Sequence, residues 1–301
     1  MNISGLQRRV TREGATEPPF ANPWWNNRRP GLYVDLYTGD PLFSSLDKFD
    51  SSCGWPSFSR PVDAKKLGEV KDTSHGMIRT EVRSSVSDSH LGHVFDDGPG
   101  PGGLRYCINS AAVHFIPLEE LERAGYGDFS SVFAHLERAV LAGGCFWGTE
   151  AYFRRVPGVV SVRSGYTGGE VEHPTYEQVC SGATGHAEAV EVWFDRTLLS
   201  FRDVLRHFFR IHNPTTEDRQ GADIGTQYRS AVFYTTEEQN KIAHDLVREL
   251  DSSGRWRDPV ITAVDPAGAF YQAEDYHQEY LEKHPGGYCH VNLTLASKPL
   301  E

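Results

Sequence analysis

The chain has 301 residues and a net charge of −11, with enough apolar and aromatic residues for two cores of ordinary size. The charge argues against nucleic acid and anionic membrane as main partners, and no stretch is long and apolar enough to span a bilayer. Met1 to Phe20 is polar, carries Arg8, Arg9 and Arg12, and lacks the apolar run of a signal peptide, so a cytoplasmic location is expected.

Residues 1–118 are rich in Gly, Pro and Ser. Gly31 to Leu36, Met77 to Val86 and Leu104 to Ile116 read as strands, and helical periodicity is almost absent. The spacing predicts a mainly antiparallel β domain. Residues 119–137 turn helical, loosen at Ala124-Gly125-Tyr126-Gly127-Asp128, and read as a linker. From residue 138 to 301 strands alternate with helices, which predicts a second, α+β domain. Helices are expected from Thr149, over Leu198 to Ile211, over Thr236 to Ser252 behind a Thr-Thr-Glu-Glu cap signal, and over Ala273 to Lys283. The halves show no internal repeat.

Five cysteines, Cys53, Cys107, Cys145, Cys180 and Cys289, lie far apart without a C-x-x-C pair. That pattern fits neither a disulfide scaffold nor a zinc finger. Cys145 stands in Gly143-Gly144-Cys145-Phe146-Trp147-Gly148, between an apolar strand and a helix start. Free N–H groups and the helix dipole at that joint are expected to lower its pKa. Phe146 and Trp147 offer an apolar wall. In Gly185 to Phe194, strand alternation places Glu188 on one face with Val190, Val192 and Phe194. A carboxyl among apolar neighbours keeps its proton and is a candidate general acid; the competing reading is a strand-end Glu in water. Tyr176, Asp223 and Tyr228 lie in Gly- or Pro-flanked loops, and Cys289 follows a flexible Pro-Gly-Gly-Tyr segment from which it can reach an oxidised Cys145.

GCFWG, GYTGG, HPTYEQVCSGATGHAEAVEV, DIGTQYRS and the late GYC make residues 138–295 resemble peptide methionine sulfoxide reductase of the A type, which reduces the S epimer. The resemblance implies Cys145 as nucleophile, Glu188 as acid, and Tyr176, Asp223 and Tyr228 around the sulfoxide oxygen. It also implies Phe146 and Trp147 around the methyl group, Cys289 as resolving cysteine, and thioredoxin as reductant. It gives Cys180 no role, and a small buried hydrophobe is its expected state.

In the first half, alternation puts Arg105, Cys107 and Asn109 on one face, with the guanidinium placed to stabilise a thiolate. His90 and His93 lie upstream, and Cys53 sits in a turn beside Trp55. By residue type, Cys53, His90, His93 and Cys107 form either a zinc site or a nucleophile, a resolver and proton carriers. TEPPF, PLFSSLDKFDSSCGWPSF, RTEVRS, HLGHVFDDGP and RYCINS resemble methionine sulfoxide reductase of the B type, which reduces the R epimer in proteins. The match over residues 4–117 implies Cys107 as nucleophile and Cys53 as resolver. It places His90, His93 and Asn109 in the site, with Trp55 as the methyl wall. Where many B-type relatives carry two zinc-binding C-x-x-C pairs, this chain has Asp35, Thr38, Ser84 and Ser87, so no metal is expected. His75 is read as a surface histidine.

The expectation is a bifunctional repair enzyme for oxidised proteins and peptides, without cofactor, metal, nucleic acid or membrane partner. A general thiol-disulfide oxidoreductase fits less well without C-x-x-C. A non-catalytic sensor or a metal-bound structural protein are the readings from other classes.

Overall fold

A computed structural model describes residues 3–100 and 102–300; the side chain of His75 lies outside what it describes. The chain divides into two units between Phe133 and Ala134.

In the first unit, Gly31–Asp35 (β1) pairs antiparallel with Pro41–Ser44 (β2) and Val113–Pro117 (β9). A second, six-stranded sheet is antiparallel throughout. Its strands are Lys48–Phe49 (β3), Ser57–Phe58 (β4), Leu67–Asp72 (β5), Arg79–Ser84 (β6), His90–Phe95 (β7) and Arg105–Ile108 (β8). They are ordered β3-β4-β8-β7-β6-β5. The core is aromatic: Phe58 lies 5.0 Å from Tyr33 and 4.5 Å from Phe43, ring centre to centre, and all three are buried. Each such ring contributes roughly 1.5–3 kcal/mol through burial.

Two sequence expectations need correction here. Gly5–Glu13 is a helix (α1), although helical periodicity was expected to be nearly absent. Its signal is local: Ser4 and Gln7 form a reciprocal capping box. The strand expected over Leu104 to Ile116 is broken at Ser110–Ala112. There the Glu17 carboxylate takes the N–H groups of Ser110 and Ala111, so the ladder cannot run through. Residues 119–133 carry short 3₁₀ turns with Leu121 and Phe133 buried, and the next strand begins at Leu136.

Asp35, Thr38, Ser84 and Ser87 share a hydrogen-bonded knot. Asp35 Oδ1 accepts from the N–H groups of Tyr37 and Thr38, its Oδ2 accepts from the Ser87 hydroxyl at 2.7 Å, and Ser84 Oγ accepts from Ser87 N.

The second unit is built on six strands: Leu136–Gly143 (β10), Val159–Thr167 (β11), Ala187–Asp195 (β12), Ser230–Tyr234 (β15), Ala263–Pro266 (β16) and Tyr271–Gln272 (β17). A separate two-stranded ribbon joins Arg219–Gln220 (β13) to Asp223–Ile224 (β14). The sheet order is β16-β15-β10-β12-β11-β17, antiparallel except for the β15–β16 pair. Helices Phe146–Phe153 (α2), Phe201–Ile211 (α4) and Glu237–Ser252 (α5) bury Phe146, Phe153, Phe208 and Leu246 with Val190, Val192 and Phe194 of β12. The intervening Ala187 and Ala189 join a different cluster, with Val140 and Phe233. The alternation read along β12 therefore separates its two faces, and both are buried.

The helix expected over Ala273 to Lys283 shrinks to Tyr280–Lys283 (α6). Its first half is held open by tertiary bonds. Gln278 binds Ser164 through both its amide oxygen and nitrogen, and Glu150 accepts the N–H of Glu279. Glu279 itself adopts φ +55°, outside the right-handed helical region.

Candidate active sites

Cys107 lies on β8, in register with Ser57 of β4 and His93 of β7, so the three side chains share one face. Cys53 Sγ is 3.7 Å from Cys107 Sγ and accepts from the Ser51 hydroxyl at 2.9 Å. Closing to a disulfide requires only a small movement from that distance. The two thiols titrate as a pair. The hydrogen bond from Cys107 draws the Cys53 thiol down, and the same bond together with burial pushes Cys107 up. Arg105 does pull Cys107 downward, as its position on the strand predicts, but those two effects outweigh it. Arg105 is also tied to Asp97 by two hydrogen bonds and lies over the Phe95 ring.

A cavity of about 120 Å³ opens beside the thiols, lined by Trp55, His93, Cys107 and Asn109 among the sequence candidates and by Thr16, Arg79 and Phe95. His90 is not among its walls; it is buried and bonded to Glu81 at 2.7 Å. Asn109 lines the cavity, but its amide donates to Leu91 O and its oxygen accepts from Glu17 N. Trp55 Nε1 donates to Glu17 O at 3.1 Å. Glu17 thus straps Asn109 and Trp55 into place, a role invisible in the sequence because these three residues are far apart along the chain.

In the second unit Cys145 is the cap residue of α2 and is buried. Its thiol is held above the usual range by burial first and the nearby Glu188 second; the N–H of Trp147 acts in the opposite direction. The helix start thus favours the thiolate, as its position predicts, but desolvation exceeds it. Glu188, on β12 and 1% exposed, accepts from Phe146 N at 3.1 Å. Burial pushes its pKa up to about 8, so the carboxyl is protonated at neutral pH. This geometry removes the solvated strand-end alternative.

Tyr176 opens the short helix Tyr176–Cys180 (α3), and Tyr228 closes the turn Thr226–Tyr228; burial raises both phenols, and Glu188 adds to each rise. Asp223 on β14 accepts from the Tyr288 hydroxyl at 3.1 Å. Phe146 is buried, and Trp147 stacks on Tyr280 with ring centres 3.8 Å apart. The Trp147 Nε1 donates to His277 Nδ1 at 3.0 Å. His277 and Tyr280 were missed because their segment reads as one helix. Cys289 lies against α2: a Cβ placed on Gly148 would be 3.3 Å from its sulfur. Cys180, expected to be buried, is exposed, since the neighbouring Val179 takes the inward position on α3.

The family model for peptide methionine sulfoxide reductase matches residues 137–301, and the SelR domain model matches residues 3–117. The peptide methionine sulfoxide reductase MsrA of Methanothermobacter thermautotrophicus is 53% identical over 162 residues, covering 54% of this chain and 96% of that protein. The MsrA of Nitrobacter winogradskyi is 58% identical over 155 residues, 51% of this chain and 84% of that protein. The solved structure of Mxr1 from Saccharomyces cerevisiae in reduced form is similar with a TM-score of 0.50 and 36% identity, covering 53% of this chain and 92% of that one. The chain belongs to the peptide methionine sulfoxide reductase family, with an R-reducing SelR domain fused ahead of the S-reducing domain, and it reduces methionine sulfoxide to methionine.

Proposed function

We propose that Cys107 and Cys145 are two independent nucleophiles, Cys107 serving the R epimer and Cys145 the S epimer. The observation that carries this is the constellation at Cys145: a thiol at a helix start, with a nearby carboxyl that keeps its proton and accepts from the N–H of the next residue, Phe146. A sulfoxide oxygen leaves poorly until protonated, and its sulfur needs a soft nucleophile. Glu188 gives its proton to that oxygen, with the Tyr176 and Tyr228 hydroxyls and Asp223 grouped around it, as the Cys145 sulfur attacks. The thiol and sulfoxide become a sulfenic acid and methionine. The second thiol then displaces water from the sulfenic sulfur to give a disulfide. Cys289 is the second thiol for Cys145, and Cys53 for Cys107.

An external dithiol reduces each disulfide, and thioredoxin fills that role. The substrates are oxidised proteins and peptides. Phe146 and Trp147 in one site, and Trp55 in the other, hold the substrate methyl group. In the first site His93 handles the proton, while His90, Arg105 and Asn109 shape the surroundings. We read the second unit as an α+β sandwich of the A-type reductase fold and the first as the B-type fold, with residues 1–118 and 138–301 as the functional domains and 119–137 joining them. No helix among the described residues is long and apolar enough to cross a membrane; we place the enzyme in the cytoplasm.

The test is methionine formation from separated R and S sulfoxides of a blocked methionine, with dithiothreitol. Cys107→Ser is expected to abolish R turnover and keep S turnover, and Cys145→Ser the reverse. Retention of both activities in either variant overturns the assignment of that cysteine.

A further inference from the structure

The first site holds a carboxylate that neither its motifs nor its cysteines call attention to. Asp72 ends β5, two strands from His93. Its Oδ2 lies 2.8 Å from His93 Nε2 and 2.7 Å from Arg79 Nη2, and its Oδ1 accepts from Ser74 N at 2.8 Å. Every bond fixes the carboxylate in one orientation. Register then carries the line onward, since His93 on β7 stands directly opposite Cys107 on β8. His93 and Arg79 both line the cavity beside Cys107.

We propose that Asp72 is a positioning residue for the R reaction, holding His93 by Nε2 so that Nδ1 is the nitrogen that exchanges a proton in the cavity. This rests on the assignment of Cys107 as the R nucleophile. A carboxylate on Nε2 fixes the proton there in the neutral ring and leaves the lone pair on Nδ1. It also stabilises the imidazolium formed when Nδ1 takes a proton. The proton balance closes: His93 Nδ1 accepts the Cys107 thiol proton and delivers it to the sulfoxide oxygen. The sulfur–oxygen bond of the substrate breaks, oxygen ends on Cys107 as sulfenic acid, and methionine leaves with its sulfur reduced. His93 returns to its starting state.

Other charged groups facing the imidazole are Arg79 and Glu81 from β6, His90 from its own strand, and Cys107 and Arg105 from β8, with Cys53 beyond. Glu81 is engaged by His90 and Arg83, and Arg105 by Asp97, which leaves Asp72 as the anion bonded to His93. His90 carries a parallel device, with Glu81 on its Nδ1, but it faces a neighbouring polar cavity and not the thiols.

The experiment uses the full-length enzyme with dithiothreitol, and S turnover in the same sample reports on the intact second unit. Asp72→Asn is expected to lower kcat for the R epimer about 10- to 100-fold with little change in KM, since an acid–base group contributes roughly 10²–10⁴-fold and only part depends on its orientation. Asp72→Glu is expected to recover part of the rate. In a His93→Asn background, Asp72→Asn is expected to add no further loss. R turnover within twofold of wild type in Asp72→Asn overturns the proposal. So does an equal loss in Asp72→Glu, or a full additional loss on His93→Asn, since either assigns Asp72 a structural duty unrelated to His93. If Cys107→Ser leaves R turnover intact, the underlying assignment has failed and not this step.

Discussion

At Cys107 the second thiol is already beside the first, 3.7 Å away on a neighbouring turn, and the proton-handling groups are imidazoles bonded to carboxylates. At Cys145 the second thiol arrives from a late segment lying along α2, and the proton donor is a carboxyl buried among apolar side chains. The two sites solve the same problem from opposite directions. One supplies an anion so that a base can hold a proton; the other removes water so that an acid keeps its own. Neither depends on a low thiol pKa in the resting state, because the bond to Cys53 together with burial keeps Cys107 protonated, and burial keeps Cys145 so. Each nucleophile must therefore lose its proton as substrate gains one, and the two transfers are naturally coupled.

Glu188→Gln breaks this comparison most sharply. S turnover is expected to fall about 10²–10⁴-fold while R turnover is unchanged. In wild type, S turnover is expected to fall as pH rises through about 8, where the acid form of Glu188 is lost. At pH values above that point the ionised Glu188 repels a Cys145 thiolate, so the variant is expected to alkylate faster at Cys145 than wild type, even though its turnover is lower. Slower or equal alkylation at alkaline pH would show that Glu188 does not set the charge around the nucleophile.

Cys53→Ser sharpens the contrast in the second thiol. R turnover with dithiothreitol is expected to survive within a few-fold, whereas thioredoxin-driven turnover falls about tenfold or more, because the exchangeable disulfide cannot form. Cys107 is also expected to alkylate more readily near neutral pH, since the bond to Cys53 is the leading cause of its raised pKa. Cys289→Ser is expected to give the same loss with thioredoxin for the S epimer but little change in Cys145 alkylation, where burial dominates. Unchanged thioredoxin-driven R turnover in Cys53→Ser would remove Cys53 as the resolver.

The contrast between the sites also explains what the sequence could reveal. Cys145 and Glu188 are legible because strand alternation and a strand-to-helix joint are local patterns. Cys107 and His93 are legible as a cluster of reactive types, but residue types alone leave zinc and catalysis open; the motif resemblance favours catalysis, and register shows the two residues face to face. Asp72 is illegible: it lies 21 residues from His93 and meets it only across an intervening strand. The segment around His277 was misread for a related reason. Its periodicity is helical, but Gln278 and the N–H of Glu279 spend their hydrogen bonds on β11 and α2, and tertiary bonds override local propensity. The Ser4–Gln7 capping box is a local signal for α1, yet the reading of a helix-free first half passed over it.

The smallest expected effect lies in the two tryptophan walls. Each is pinned through its indole N–H, Trp55 to the carbonyl of Glu17 and Trp147 to Nδ1 of His277. A carbonyl accepts at any pH, whereas an imidazole nitrogen stops accepting once protonated. Burial lowers the His277 pKa from 6.5, so the acceptor is intact at neutral pH and is lost only further into acid. His277→Phe keeps a ring against Phe146 and Tyr176 but removes the acceptor. One hydrogen bond of about 1 kcal/mol corresponds to a rise of about fivefold in KM for the S epimer, with R kinetics unmoved. Wild type is expected to show the same selective rise in S-epimer KM as pH falls below the usual imidazole range, and the variant to show none, its anchor being already gone. Parallel acid dependence of KM for both epimers in wild type would mean that the S wall is not held through His277, and the two sites would then differ in their proton donors and second thiols but not in how their walls respond to pH.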